Sequence, residues 1–297
     1  MEIAILALLL LLGMPLVTAV IAYLGERPVS AEPARSKLNS DTAARAFIIT
    51  AGLWVILTVL GAYATLTYDF YPTVNSDKGE EISHAFTVLT VLAVPVAAMV
   101  VAVLVYSFLR RSSFDLAEED GPDYDGKGPF PKGWLLATSA LTLAIIIYPG
   151  LTTLDKIVDN PDRPDYVIEV EAQKWAWLVT YPDHGINKQP ELVLPVDKSV
   201  RFDITSIDIV HSFWIPSVLM KIDAVPGHTT SLSFTATEVG EYTSDPLVRV
   251  QCAELCGLGH AGMRIPVRIV TQSEFETWVK DHQGSKDGSV LLRSESK

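Results

Sequence analysis

Four long apolar runs most constrain what this chain can fold into. They cover approximately residues 3–24, 46–68, 85–109 and 134–151. Three reach the ~20 residues that an α-helix needs to cross ~30 Å of hydrocarbon, and the fourth is close to the lower limit. Pro95 interrupts the third run, which a membrane helix tolerates when neighbouring groups satisfy the carbonyl that proline leaves free. The sequence therefore predicts four transmembrane helices.

Two of these runs leave an alternative open. The fourth can be read as a soluble core helix, because Tyr148 and Pro149 can end it early. The first can be read as a cleaved secretory signal, since V-S-A at 29–31 resembles a cleavage site. Against cleavage, residues 1–12 carry no Lys or Arg, and the run exceeds the ~7–15 apolar residues of a signal core. A retained helix is the favoured interpretation.

Basic residues in the short loops predict the orientation, because cytoplasmic loops carry an excess of Lys and Arg. The loops after the first and third runs hold these basic residues: Arg27, Arg35, Lys37, Arg45, Arg110, Arg111, Lys127 and Lys132. The loop after the second run holds only Lys78. We therefore expect a multi-pass protein of a prokaryotic plasma membrane, with its C-terminal domain on the periplasmic or extracellular side.

The C-terminal half has the period-two alternation of half-buried strands. Apolar and polar residues alternate around 169–172, 200–205 and 231–236, with Pro and Gly between the runs. This pattern predicts an antiparallel sandwich or barrel, with a last strand at 265–270. Ser273 and Glu276 then form an S-x-x-E capping box for a short helix. We expect Phe275, Trp278 and Val279 to form the buried side of that helix.

These patterns predict three segments: a membrane domain over 1–155, an all-β domain over 156–280 and a mobile polar tail over 281–297. The net charge of −12 and the pI of about 4.9 argue against nucleic-acid binding, since an acidic surface repels phosphate. They favour a basic partner instead. A hydrophobic content of 49% excludes a disordered chain.

One short segment carries most of the chemistry. Residues 252–263 read C-A-E-L-C-G-L-G-H-A-G-M, which places Cys252, Cys256, His260 and Met263 within twelve positions. Soft sulfur with imidazole suits copper or zinc rather than magnesium or calcium. His211, after a strand in D-I-V-H-S-F-W-I-P, is a candidate for a further ligand.

Three simpler interpretations compete with a copper site. Cys252 and Cys256 can form a disulfide in an oxidising compartment. Zinc can take both cysteines with His211 and His260. Met263 can be an ordinary core residue.

The wider pattern resembles subunit II of the haem-copper cytochrome c oxidases over most of residues 166–280. The motif C-A-E-L-C-G-x-G-H-x-x-M and the stretch S-I-D-I-V-H-S-F-W-I-P-S-V-L-M-K-I-D-A-V-P-G at 206–227 carry the resemblance. It implies N-terminal transmembrane α-helices followed by an all-β cupredoxin-like sandwich that holds a dinuclear copper A centre.

The resemblance also implies the ligands. Cys252 and Cys256 would bridge both coppers, and His211 and His260 would each bind one. Met263 would be a weak axial ligand, and Glu254 would bind through its backbone carbonyl. The Glu254 side chain would also reach a magnesium ion at the boundary with subunit I.

An aromatic pair matches the family's G-x-Q-W-x-W stretch. In Q-K-W-A-W, Trp175 would be the point at which electrons enter from cytochrome c, and Trp177 is favoured as core packing. Two residues at i and i+2 would point to one face of a strand. Ala172 and Lys174 replace the family's Gly and Gln. Asp208 occupies a position that is acidic in the family and linked to donor docking.

The resemblance implies an oxidoreductase subunit that accepts electrons from cytochrome c or another small redox protein. It would pass them to haem in subunit I, where oxygen is reduced to water, beside other oxidase subunits and the lipid bilayer. No catalytic residue is expected in this chain. The donor must be a separate protein, because the chain has no C-x-x-C-H for a fused cytochrome.

Two departures from the family pattern matter. Four helices replace the usual two, and the runs at 85–109 and 134–151 match that pair. Alignment on Trp134 places Pro131 where many oxidases have a Glu at a proton-path mouth, and Leu135 where they have Thr. The alternative is therefore a copper A subunit of a haem-copper nitric oxide reductase, which needs no such path. A membrane-anchored copper chaperone is a remote alternative, disfavoured by Gly257 after the second Cys.

Overall fold

The computed structural model describes residues 40–68, 70–71, 73–110, 129–158 and 163–283. The predicted helix at 3–24, the loop at 111–128 and residues 284–297 of the predicted tail lie outside these residues. The chain divides into two compact units. One comprises Met1–Phe70 and Ala85–Thr152, and the other comprises Tyr71–His84 and Thr153–Lys297.

Helices form the first unit and lead into the second. They are α1 (Ser40–Thr67), α2 (Asp77–Arg110) and α3 (Pro129–Ile145), then a π-helical turn (Ile146–Leu151) and α4 (Thr152–Val158). Three stretches are long and apolar enough to cross a membrane: Ile48–Thr67, Asp77–Tyr106 and Pro131–Val158. The described residues thus contain three of the four predicted spans, which correspond to the second, third and fourth apolar runs.

A neighbouring helix donates a hydrogen bond to the segment around Pro95, although not to the carbonyl that proline leaves free. The Trp54 indole Nε1 of α1 donates a hydrogen bond of 2.8 Å to a carbonyl of α2. The acceptor is the carbonyl of Pro95 itself rather than that of Val91, which proline leaves free. Trp54 is buried with Ala98 and Ala102, small residues that allow close packing of helices in a membrane.

The last span bends where the sequence analysis placed a possible end. Regular α3 stops at Ile145, and Tyr148 takes an extended conformation (φ −138°, ψ 122°) before Pro149. A residue that precedes proline is restricted to such conformations by steric clash with the proline ring. The helix then resumes as α4.

Two packed sheets form the bulk of the second unit. Their strands are β1 (Tyr166–Gln173), β2 (Ala176–Tyr181), β3 (Ile186–Gln189), β4 (Leu192–Pro195), β5 (Ser199–Ser206), β6 (His211–Ile215), β7 (Met220–Ala224), β8 (Thr230–Thr235), β9 (Gly240–Glu241), β10 (Arg249–Cys252) and β11 (Arg264–Val270). One sheet has the order β3-β2-β1-β5-β8. The other has the order β4-β11-β10-β6-β7, with β9 paired to β11.

The predicted strands around 169, 202, 234 and 267 are confirmed, but their pairing is mixed. Strand β1 runs parallel to β5, and β11 runs parallel to β4. The prediction of an antiparallel arrangement is therefore wrong for these two pairs. Side-chain alternation reports which face of a strand is buried, whereas strand direction depends on connections between distant segments.

The alternating residues build the core between the sheets. Ile168, Val170 and Ala172 of β1 are buried, and Val200, Phe202 and Ile204 of β5 repeat the pattern. A closing helix, α5 (Gln272–His282), covers part of this core with Phe275, Trp278 and Val279, as predicted.

The capping box of α5 lies two residues before its predicted position. Thr271, rather than Ser273, is the N-cap, and its partner is Glu274 rather than Glu276. The reason is that β11 continues to Val270, so the chain turns into the helix at once. The side-chain hydroxyls of Ser273 and Thr271 lie 3.2 Å apart.

A segment from before α2 belongs to the β-sheet unit. The Asn75 N–H donates to Ser217 O (2.8 Å), and Asn75 O accepts from the Thr237 N–H (3.0 Å). Lys78 Nζ donates to Ser233 Oγ at 3.2 Å and is largely buried. The start of α2 is therefore attached to the sandwich at several points.

Tyr181 provides a test of this fold. Its buried hydroxyl donates to Val193 O (2.9 Å) and accepts from the Val193 N–H (2.8 Å), which ties β2 to β4 of the opposite sheet. Tyr181→Phe leaves both backbone groups without that partner, so we expect the free energy of unfolding to fall by about 1–3 kcal/mol. Thermal unfolding of the full chain in detergent, followed by near-ultraviolet circular dichroism, measures the loss. Tyr242→Phe, at a partly exposed tyrosine, is the control, and an equal effect in both variants would contradict the prediction.

Candidate metal centre

Pairing between β6 and β10 brings the predicted ligands together. His211 is the first residue of β6, and Cys252 is the last residue of β10, where it lies opposite Phe213. Ala253 N–H then donates to Ser212 O (3.0 Å). Two paired strands thus place an imidazole beside a thiol that is 41 residues away in sequence.

The loop from β10 to β11 closes at its base. Cys252 N–H donates to Met263 O at 3.0 Å, so the first and last predicted ligands of the loop are joined by their backbones. Within the loop, His260–Gly262 forms a short 3₁₀ turn. This closure folds the glycine-rich loop back over the two cysteines.

Sulfur and nitrogen atoms form a continuous chain in this loop. Cys252 Sγ lies 3.8 Å from His211 Nδ1 and 3.9 Å from Cys256 Sγ. Cys256 Sγ lies 3.6 Å from His260 Nδ1 and 3.7 Å from Met263 Sδ. The structure therefore assembles all five of the predicted side-chain ligands.

The Glu254 backbone completes the set. Its carbonyl oxygen lies 3.2 Å from Cys252 Sγ, while its side chain is exposed. The carbonyl thus points inward and the carboxylate faces outward, as the two predicted roles of Glu254 require.

The donor atoms fit a soft metal. His211, Cys252, Cys256 and Met263 are buried, and His260 is partly exposed. Metal–sulfur bonds of about 2.3 Å and metal–nitrogen bonds of about 2.0 Å put tetrahedral ligand pairs roughly 3.5–3.8 Å apart. The observed separations of 3.6–3.9 Å match this requirement.

The donor atoms, from His211 at one end to His260 at the other, extend over a greater distance than a single metal ion requires. The ligand atoms of His211, Cys252 and Cys256 all lie within 4.8 Å of one another, but His260 is not part of that group. A single tetrahedral zinc ion would draw all four atoms around one point. The two thiols are free rather than joined in a disulfide.

Burial affects the Cys256 thiol as well as excluding water. Burial, followed by the neighbouring Cys252, raises the pKa of Cys256 to about 11. A bound cation opposes this effect, because it stabilises the thiolate directly.

Asp208 has a role that the sequence analysis missed. Its Oδ1 lies 2.9 Å from His211 Nε2, and its Oδ2 accepts from the Lys174 N–H at 2.7 Å. Desolvation raises the pKa of the Asp208 carboxyl, but hydrogen bonds from His211 and from the backbone of Ile209 and Lys174 outweigh it and hold this pKa well below its usual value.

This contact leaves His211 Nδ1 turned toward Cys252. A carboxylate on the second ring nitrogen fixes the tautomer and the orientation of a metal-binding histidine. The i, i+3 spacing of Asp208 and His211 was the available sequence signal, but spacing alone does not show which residues a carboxylate contacts.

The two tryptophans lie in different environments. Trp175 is 44% exposed in the turn between β1 and β2, and its Nε1 donates to Cys256 O at 3.2 Å. Trp177 is 1% exposed and packs edge-on against Phe213. The expectation that both point to one face of a strand is wrong, because β1 ends at Gln173 and only Trp177 belongs to a strand.

Removal of the Asp208 carboxylate tests its role. Asp208→Ala frees the His211 ring to rotate, so we expect the affinity for copper ions to fall by about 10–100-fold. A competition titration against a copper chelator measures this change. Asp203→Ala is the matched control, since its carboxylate bonds Arg201 and Ser231 instead. Unchanged affinity in Asp208→Ala would show that the His211 ring is held by other contacts.

Known proteins are similar to this chain in sequence. The model of the family described as "Cytochrome C oxidase subunit II, periplasmic domain" matches residues 184–270, which include every predicted ligand but not Trp175. The chain is 27% identical to cytochrome c oxidase subunit 2 of Thermostichus vulcanus, over 82% of this chain and 87% of that protein. It is 26% identical to cytochrome c oxidase subunit 2 of Synechocystis sp., over 82% and 85% respectively.

A solved structure is also similar. The periplasmic domain of subunit II of cytochrome oxidase (CoxB) of Bradyrhizobium japonicum is 34% identical, with a TM-score of 0.37, and the match covers 41% of this chain and 96% of that one.

The family matches confirm the resemblance found in the sequence. They imply copper as the metal, a periplasmic domain attached to membrane-spanning helices, and a place in a haem-copper oxidase complex. This chain belongs to the cytochrome c oxidase subunit II family.

Proposed function

We propose that this chain is the electron-accepting subunit of a haem-copper terminal oxidase. It takes electrons from cytochrome c at a dinuclear copper A centre and passes them to haem in subunit I, where oxygen is reduced to water. The observation that carries this proposal is the elongated donor set. Two thiols 3.9 Å apart each have their own imidazole partner, which suits two metals better than one.

Each ligand has a position in this proposal. Cys252, Cys256, His211 and His260 would hold the copper ions through their thiolates and imidazoles. The Met263 thioether and the Glu254 carbonyl would supply the remaining, weaker contacts. All six donors come from β6 and from one closed loop, so the centre forms only in the folded domain.

Copper ions held by these two thiolates would supply a centre that gains and loses one electron. The chain's own residues keep the ligand positions constant while that electron arrives and leaves. The Cys252–Met263 backbone bond closes the loop, and Asp208 orients His211. Little ligand movement is then needed, which favours fast electron transfer.

Trp175 is the proposed point at which electrons enter. Its indole is half exposed, and the indole N–H donates a hydrogen bond to the backbone carbonyl of Cys256. The net charge of −12 attracts a basic donor and mainly raises the association rate. Asp208, which we expected only in docking, contributes by holding both His211 and the turn before Trp175.

The exposed carboxylate of Glu254 is available to bind a metal ion other than copper. Magnesium prefers carboxylate and water oxygens. We propose that this carboxylate binds a magnesium ion shared with subunit I, while the backbone carbonyl of the same residue faces the coppers.

We place the chain in the plasma membrane of a prokaryote. The membrane domain covers 1–155 and the copper domain 156–280, and α5 carries the copper domain on to His282, two residues past that domain's predicted end. The copper domain then faces the periplasm, where a separate cytochrome can reach it.

Pro131 favours a second candidate function. It lies in the first turn of α3, where many oxidases have a glutamate at the mouth of a proton path. A nitric oxide reductase of the same superfamily needs no such path. We therefore keep a copper A subunit of a nitric oxide reductase as the alternative.

Ligand substitutions test the electron relay. In the purified complex, we expect Cys252→Ser or His260→Ala to abolish turnover with reduced cytochrome c, because the copper centre is lost. The haems should remain reducible by small dyes. His228→Ala, at an exposed histidine, is the matched control. Unchanged turnover in the ligand variants would refute the relay.

Metal analysis should find two coppers per chain, whereas a copper chaperone would carry one.

The terminal acceptor is tested by turnover of the same complex. We expect oxygen consumption at a catalytic rate with reduced cytochrome c. Nitric oxide consumption with little oxygen uptake would instead establish the reductase. It would also explain why Pro131 stands where many oxidases have a proton-path glutamate. Gas-selective electrodes measure both rates on one preparation.

A further inference from the structure

We propose that Gly259 is a positioning residue for electron transfer through Trp175. The absence of a side chain at Gly259 allows the Trp175 indole to lie directly on the metal-binding loop. This inference rests on the proposed role of Trp175 as the point at which electrons enter. It gives Gly259 a part that the copper ligand set does not include.

The contact between the two residues leaves no space for a methyl group. A Cβ atom built on Gly259 would lie 2.4 Å from Trp175 Cδ2, 2.6 Å from Cγ and 2.9 Å from Cε3. Ordinary van der Waals contacts begin at 3.4 Å, so one of the two groups would have to move by about 1 Å. The atoms met are the rigid centre of the indole rather than a flexible end.

The backbone of Gly259 does not itself require glycine. Its dihedral angles are φ −87° and ψ 6°, which other residues can adopt. Gly257 differs, because its φ of 110° lies in the region that favours glycine. The constraint at Gly259 therefore comes from its packing against Trp175 rather than from its backbone conformation.

Displacement of the indole would break its bond to the loop. Trp175 Nε1 donates to Cys256 O at 3.2 Å, and such bonds weaken beyond about 3.2–3.5 Å. The backbone cannot easily follow, since the adjacent Lys174 N–H is fixed to Asp208 Oδ2 at 2.7 Å. A methyl group at 259 thus separates the indole from the Cys256 carbonyl.

The electron transfer involved is simple to balance. One electron leaves the reduced donor and arrives at the oxidised copper centre, so the donor is oxidised and the centre is reduced. No bond forms or breaks, and no proton moves. Trp175 couples the two through its ring and its N–H···O contact, without itself being oxidised.

Gly262 supplies a matched control in the same loop. A Cβ atom at Gly262 meets nothing within 4 Å, and its φ is not in the left-handed region. Gly262→Ala and Gly259→Ala therefore add the same methyl group three residues apart. Only the second should disturb Trp175.

The first measurement uses the metal-free full chain in detergent. The chain has six tryptophans, and ¹⁹F NMR of 5-fluorotryptophan-labelled protein reports on each of them. Trp175→Phe identifies the Trp175 resonance. We expect Gly259→Ala to shift that resonance and leave the others in place, and Gly262→Ala to leave all six unchanged. An unshifted Trp175 resonance in Gly259→Ala would overturn the proposal.

The second measurement uses the copper-loaded complex and a rapid-mixing assay with reduced cytochrome c. We expect Gly259→Ala to slow reduction of copper by about tenfold or more, since misplacement by 1 Å can cost about 100-fold in rate. The electron paramagnetic resonance spectrum of the copper centre should remain unchanged. In a Trp175→Ala background, Gly259→Ala should add no further slowing. An altered copper spectrum would overturn the proposal, because the loop would then need glycine for the metal itself.

Trp175→Ala separates this inference from the function on which it rests. If this variant reduces copper at the normal rate, electrons do not enter through Trp175, and both the proposed role of Trp175 and the inference fail. If it is slow while Gly259→Ala is as fast as the Gly262→Ala control, only the role of Gly259 is overturned.

Discussion

The pairing of β6 with β10 is the constraint on which the site depends. It sets Cys252 opposite Phe213 and thereby brings His211 beside the cysteine loop. The Cys252–Met263 backbone bond then closes that loop, and the remaining donors follow within a few ångströms. Buried β-strands hold this register firmly, because a slip by one residue would turn the apolar side chains of each strand to the wrong face. The rigidity of the metal centre is thus a property of the sandwich core.

A single carboxylate links the two functional parts of the site. One oxygen of Asp208 meets the ring of His211, and the other holds the turn that carries Trp175. The metal ligand and the exposed indole therefore share a support. The indole of Trp175 also lies against Gly259, and its N–H donates a hydrogen bond to the backbone carbonyl of Cys256. In the proposed role as an electron acceptor, this shared support would keep the distance from the surface to the metal site constant.

Much of the molecule was predictable from local sequence. Period-two alternation predicted strands such as β1 and β5, and long apolar runs predicted the three described spans. The segment 252–263 contained four donors at close spacing, and their chemistry pointed to a soft metal. Local patterns failed where the answer depended on a distant segment. Strand direction in the β1–β5 pair and the position of the α5 cap are two cases, since the first depends on chain connections and the second on where β11 ends.

The sequence by itself supplied the candidate ligands, which are the thiols, imidazoles and thioether of one loop and one strand. Side-chain chemistry and close spacing marked them as candidates for a soft metal, and the family resemblance implied their individual roles. Only the tertiary structure decided how these groups are held. It assigned Asp208 to the His211 ring, separated half-exposed Trp175 from buried Trp177, and placed an indole where Gly259 has no side chain. The contact of Trp175 with Gly259 joins segments far apart in sequence, and it is fixed by packing and strand register. Asp208 and His211 are only three residues apart, but their contact depends on the conformation of the turn before β6, which spacing alone does not specify.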